Sequence, residues 1–188
     1  MIGQNEMGRK SMKKTGSICV VLAAAVAGIG YAQPAAPGPL SVTIEGKTMS
    51  VKYTASAAKG RKIFGGVVPF KQVWRIGETG AATFHTDADL VFKGFMVPKG
   101  DYTLYVLPAD AANWQLIVSK QTGGKPYDPK LDVGHAAMKV TAAPAPLETC
   151  RLAVVKTAAM AARIEVAWEN VVAFVPFHLD REGSDSEW

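Results

Sequence analysis

Chemistry in this 188-residue chain would have to come from few side chains. Its three histidines, His85, His135 and His178, form no HxH or HExxH pair, so local spacing brings no two imidazoles onto one metal ion. No metal site and no cofactor are predicted. A GxSxG nucleophile elbow is absent. Cys150 alternates with Leu152 and Val154, the register of a small buried hydrophobe rather than a reactive thiol. Acidic residues come in three close pairs, Asp87 with Asp89, Asp128 with Asp132, and Glu165 with Glu169. Positions two apart on a strand share a face, so Asp87 and Asp89 are the pair that would suit acid–base work or a hard cation. The plainer reading, a polar turn inside "HTDADL", is favoured.

The densest stretch is "KGRKIFGGVVPFKQVWRIGETGAATFHTD", Lys59 to Asp87. Its "KGRKIFGG" is not a phosphate-binding loop, since it lacks the GxxxxGK[ST] order and no helix follows it. Arg61, Trp74, Arg75 and Glu78 are its candidate ligand-binding residues. Arg75 stands between Val73-Trp74 and Ile76, which predicts partial burial, and a buried guanidinium needs a carboxylate. The favoured expectation is an internal pair with Glu78, Asp128 or Glu169. The competing one has Arg61, Arg75 and Glu78 lining a ligand cleft at one end of the fold.

The elements that must position these residues are strands. Apolar residues recur with a period of two: Val42 and Ile44, then Met49, Val51 and Tyr53, later Trp114, Leu116 and Val118. Strands are predicted near 82–86, 90–92 and 102–107, with Glu45-Gly46-Lys47 and Pro98-Lys99-Gly100 as tight turns. "AMKVTA", "TCRLAVVK", "ARIEVAWEN" and "VVAFVPFHL" read as four further short strands. Together they predict an all-β fold, an antiparallel β-sandwich or jelly roll of roughly ten short strands. "ADAAN" and "AAMAAR" are each long enough for one helical turn only. "TGGKPYDPKLDVGHA", residues 122–136, reads as a long surface loop and a second place for function.

The N-terminal region reads as an export signal. "RKSMKK" is a basic run, "ICVVLAAAVAGIG" a short apolar run, and Gly30 and Ala32 stand at the cut. The apolar run falls short of the roughly 20 residues that span a bilayer. Met12 offers a second start, leaving residues 1–11 as a candidate upstream extension. Ser17-Ile18 before Cys19 lack the small residues of a lipoprotein site. The expected organisation is therefore a signal peptide over 1–32, a Pro/Ala-rich spacer over 33–40, one β-sandwich domain over 41–179 and a polar tail over 180–188. Arg9, Lys10, Lys13 and Lys14 against Glu6 give the leader +3 of the formal +5, so the remainder carries only +2. The basic balance is a property of the leader and does not predict nucleic-acid binding. Cys150 then has no disulfide partner, and the core must hold the fold unaided.

Several segments in order, "KGRKIFGGVVPFKQVWRIG", "TDADL", "VPKGDYTLYVLP", "YDPKLDV" and "EVAWENVVAFVPF", resemble a bacterial family, the domain-of-unknown-function 2911 family. The resemblance runs from about Val42 to His178. It implies a secreted or periplasmic β-sandwich and brings no activity, substrate or catalytic set with it. After "VWR-G" that family typically reads Ala-Asn-Glu-Ala-Thr, whereas here Gly77 is followed by Glu78-Thr79-Gly80-Ala81-Ala82. The best expectation is a non-catalytic periplasmic or extracellular binding or interaction module. It would use the loop end around Lys59–Asp87, with a small molecule, a glycan or an envelope protein as partner, and no membrane association once the signal is cleaved. The alternative is a small hydrolase or lyase acting on a cell-envelope or sugar-like substrate through Arg75, Glu78 and Asp87 or Asp89.

Overall fold

The computed structural model describes residues 40–122 and 126–180; the expected leader, most of the spacer and nearly all of the tail lie outside these residues. The fold is all-β. Ten strands form one antiparallel sheet that is not closed into a barrel. In chain order they are β1 (Ser41–Ile44), β2 (Lys47–Lys52), β3 (Trp74–Arg75), β4 (Ala82–Thr86), β5 (Leu90–Phe92), β6 (Phe95–Val97), β7 (Gly100–Pro108), β8 (Trp114–Ser119), β9 (Asp132–Ala158) and β10 (Ala161–Leu179). Their spatial order is β1-β2-β4-β7-β8-β9-β10-β5-β6, with β3 pairing with β7 as well.

Local sequence explains the short strands. Ile44 pairs with Lys47, which leaves a two-residue hairpin loop in which Glu45 and Gly46 both take positive φ, 48° and 73°. That turn matches the right-handed twist of its strands. Inward residues alternate as expected: Met49 and Val51 on β2, Ala82 and Phe84 on β4, Leu104 and Val106 on β7, Trp114, Leu116 and Val118 on β8. "ADAAN" makes no helical turn. The Asp110 carboxylate instead accepts the backbone N–H groups of Ala112 and Asn113 and shapes the β7–β8 connection.

The four short strands expected at the C-terminal end run together into two long ones. β9 pairs with β8 through residues 132–138 and with β10 through residues 139–158, so it serves both halves of the sheet. The ribbon bends where Glu169 (φ 52°) faces Leu147 and Val171 faces Ala142, a mismatch that leaves Pro144 and Pro146 in the bulged stretch of β9. Proline is tolerated there because a bulge demands no ladder donor. After the bend β10 returns to its own hairpin, with Leu179 donating to the Met160 carbonyl and Asp180 to that of Asp89. The sheet thus folds over on itself. Inward residues of β2, β4, β7 and β8 meet Leu90, Phe92, Leu152, Val154, Ile164 and Val166 in one core.

The stretch from Lys59 to Val73 plugs this core. Ile63, Phe64 and Val68 are buried, and the Phe64 ring tilts onto Trp114 with centroids 4.6 Å apart. The turn that inserts them needs Gly66, because a Cβ there would stand 2.4 Å from the Lys62 carbonyl oxygen.

Candidate functional site

The expected ligand set of the 59–87 stretch does not assemble. Arg61 is exposed and its guanidinium donates to the carbonyls of Ala57 and Ala58, both at 3.0 Å, which fixes the turn rather than a ligand. Trp74 is partly buried and packs against the core, stacked on Trp168 at 5.9 Å and edge-on to Phe64 at 6.2 Å. Glu78 is exposed. Its N–H donates to the Thr54 carbonyl, and Gly77 beside it takes φ 124° in a turn so tight that a Cβ would meet the Gly80 oxygen at 2.3 Å. Asp87 and Asp89 do not form a pair either. Asp87 accepts from the Thr48 backbone and faces His85, while Asp89 accepts from the Lys99 backbone.

Arg75 corrects the favoured expectation. It is exposed, and its guanidinium makes no ion pair or hydrogen bond among the described residues. The reason is strand alternation: Trp74 takes the inward place, so Arg75 must point outward whatever its apolar neighbours suggest. Across the ladder Arg75 faces Tyr105, Tyr105 faces Ile117, and Ile117 faces His135. These four lie in one row on the outer face of the sheet.

That outer face is not simply solvated. Thr103, Tyr105, Ile117 and Ser119 point away from the core, yet they are only 3, 2, 0 and 0% exposed. The chain after β8 folds back across them. Gln121 holds it there: the carbonyl accepts from the Thr103 hydroxyl, the side-chain amide donates to the Pro126 carbonyl, and its Oε1 accepts from Asp128 N–H. Asp128 then caps a 3-10 turn, Pro129–Leu131, which delivers Asp132 into the start of β9. The expected long loop therefore ends at Asp132, and His135 stands on a strand.

This strap assembles a cluster that short-range spacing does not reveal. Tyr127 donates its phenol to Asp132 Oδ2 at 2.5 Å, and His135 Nε2 stands 2.9 Å from the same oxygen. His135 Nδ1 is 3.3 Å from Gln115 Oε1, and the Tyr127 ring meets Tyr105 edge-on at 5.0 Å. The Asp132 side chain is 8% exposed and its second oxygen, Oδ1, is buried without a hydrogen-bond partner. Burial pushes both phenols up, and Asp132 pushes Tyr127 further by accepting its proton in a hydrogen bond. At Tyr105 the Arg75 charge pulls the other way.

A second cluster lies on the same face at β2, β4 and β7. His85 Nδ1 is 2.8 Å from Asp101 and Nε2 is 3.0 Å from Asp87, beside a groove of about 230 Å³ lined by Ser50, Lys52, Thr83, His85 and Asp101. A third lies on the β9–β10 ribbon, where Glu165, 7% exposed, takes Arg151 at 2.9 Å and Arg163 at 2.7 Å. Neither the Asp128/Asp132 pair nor the Glu165/Glu169 pair forms. Among the described residues no group of three or more His, Cys, Asp or Glu side chains could hold a metal ion.

The family model described as "Protein of unknown function (DUF2911)" matches residues 36–177. The chain belongs to the DUF2911 family. No curated protein and no solved structure matches it. In this DUF2911 protein the segments "VWRIG", "YTLYVLP" and "YDPKLDV" converge on the outer face, the first contributing Arg75, the second Tyr105 and the third both Tyr127 and Asp132. Their convergence needs the β3–β7 pairing and the Gln121 strap, which pairwise spacing along the chain does not encode.

Proposed function

We propose that this DUF2911 protein is an exported, non-catalytic binding module whose ligand site is the outer face of the sheet around Asp132. The observation that carries the reading is the nearly buried Asp132 carboxylate, fixed by Tyr127 and His135 through one oxygen and left unpartnered at the other. A buried acceptor without a donor is rare in a folded protein, and a partner from outside the chain, a ligand or an ordered water, would complete it. Of the residues expected from sequence, only Arg75 lies in this row.

Binding is favoured over catalysis by how the titratable groups are spent. His135 and His85 each have both ring nitrogens against acceptors, so neither offers an open nitrogen to a substrate. The Cys150 thiol is buried and pushed up to about 12 by desolvation, too high for a nucleophile. The hydrolase or lyase alternative asks for a carboxylate beside Arg75 and Glu78, and Asp87 and Asp89 are occupied with the Thr48 and Lys99 backbones.

A thermal-shift screen of small polar metabolites and glycan fragments tests the reading with wild type and Asp132→Asn side by side. A compound that raises the wild-type melting temperature by several degrees and leaves the variant unmoved is the expected result. Equal stabilisation of both proteins by every hit would overturn the site. Consumption of a hit over hours would overturn the non-catalytic role.

A further inference from the structure

The groove of about 230 Å³ beside His85 is a site of its own, since none of its lining residues (Ser50, Lys52, Thr83, His85 and Asp101) belongs to the Asp132 cluster. Ladder register places them. Ser50, His85 and Asp101 form one row across β2, β4 and β7, and Lys52 and Thr83 stand in the next. Beyond Thr83 that second row continues into Thr103, which is buried and bonded to the strap at Gln121. Lys52 and Asp101 therefore hold opposite corners of the groove, two strands and one row apart. With strands about 4.8 Å apart and rows about 7 Å apart, roughly 12 Å separates their Cα atoms.

The floor between those corners is fixed. Asp101 holds His85 from one side and Asp87 from the other, and Asp87 is itself tied to the Thr48 backbone. Two carboxylates share one imidazole, so this end of the groove is anionic whether His85 carries one proton or two. The other end is cationic, because Lys52 makes no ion pair among the described residues. Ser50 and Thr83 add hydroxyls that donate or accept. All these groups are open to water, so a ligand competes with hydration and gains most where it meets both charges at once. An anion alone meets Lys52 but is repelled by the acidic end, and a cation alone meets the reverse. A molecule with an ammonium at one end and a carboxylate at the other suits both, and its polar middle crosses the hydroxyls. The groove is smaller than the ~300–1,000 Å³ of sites for drug-sized ligands, so that molecule is small. We infer that the groove binds a short zwitterion of amino-acid or dipeptide size, its carboxylate toward Lys52 and its ammonium toward Asp101. This is a second site, and it does not rest on the Asp132 reading.

The test is an NMR titration of the full-length, ¹⁵N-labelled chain at neutral pH and low salt, with glycine, glycylglycine, N-acetylglycinate, glycinamide and glycerol as separate probes. Glycine or glycylglycine is expected to move the amide signals of Lys52, Thr83, His85 and Asp101 to saturation, and the tighter of the two tells a free amino acid from a peptide. N-acetylglycinate and glycinamide each lack one charge and should bind at least about threefold more weakly, the worth of one exposed ion pair. Lys52→Gln should weaken the zwitterion by about the same factor and leave glycinamide, which has no carboxylate to lose, unaffected. The wild-type probe series decides the matter should that variant fail to fold. N-acetylglycinate, glycinamide or glycerol binding as tightly as the zwitterions would overturn the assignment. So would the absence of any shift at these residues. Shifts confined to Tyr127 and Asp132 would overturn this groove while supporting the binding site proposed above.

Discussion

Arg75, Glu165 and Cys150 show how differently three polar side chains are treated by one sheet. Arg75 has an exposed guanidinium, so removing it leaves no carboxylate stranded. Arg75→Ala should shift the urea-unfolding free energy by under about 1 kcal/mol, as an exposed charge does. A loss of several kcal/mol would revive the internal pair that its apolar flanks suggest. Glu165 is the opposite case. It is nearly buried between Arg151 and Arg163, and the Arg163 guanidinium also lies 4.7 Å above the Phe174 ring. Glu165→Ala leaves two guanidinia facing each other, and their Nε atoms already lack partners. Because both arginines are about a third exposed, the cost should fall at the low end of the buried-pair range, about 3 kcal/mol by urea melts. An unchanged midpoint would show that solvent already screens the cluster. Cys150, raised to about 12 by burial, should resist iodoacetamide at pH 8 in the folded protein and react only when urea unfolds it.

At the scale of elements, His85 ties three strands together. It stands on β4, bonds Asp101 of β7, and bonds Asp87, which in turn accepts from Thr48 of β2. Hydrogen bonds to Asp101 and then Asp87 raise its pKa above the ordinary 6.5, and the bond from His85 lowers Asp87 below the ordinary 3.8. A raised histidine contributes stability that is complete below 6.5 and fades as pH rises through the higher folded value. A lowered aspartate contributes stability that is present above 3.8 and lost as pH falls through the lower folded value. The linkage should therefore be strongest between those limits. His85→Gln should flatten the melting-temperature profile above pH 6.5 relative to wild type; parallel profiles would show the linkage contributes nothing. The groups are largely exposed, so the effect is small and should shrink in high salt.

At the scale of the whole molecule, the sheet has two different faces. One forms the core, and the other is half covered by the strap that Gln121 anchors. A second buried layer outside the core is what lets an otherwise ordinary strand face desolvate a carboxylate and two phenols. No helix among the described residues is long and apolar enough to cross a membrane. Export therefore has to be tested directly. Intact-mass spectrometry of the chain recovered by osmotic shock should find Gln33 at its N-terminus. An abundant species that retains Met1 or Met12, or carries diacylglycerol on Cys19, would refute export by a cleaved signal.

Features that depend on neighbours one or two positions apart were legible in the chain alone. Alternation set the inward places of Met49, Val51, Phe84, Leu116 and Cys150, and Glu45-Gly46 and Pro98-Lys99-Gly100 set their turns. The in-order segments were enough to mark the DUF2911 family. Alternation failed at β8, where Ile117 and Ser119 are as buried as the core face, because their cover comes from chain that folds back from beyond the strand. At Arg75 alternation held and flanking hydrophobicity misled: the apolar neighbours suggested burial, but the inward place of Trp74 turned the guanidinium out. The candidate site was fixed by long-range pairing. Arg75, Tyr105, Tyr127, Asp132 and His135 meet through ladder register across β3, β7, β8 and β9 and through one strap. Those contacts join residues up to sixty positions apart, a relation set by how the sheet pairs and not by any local period.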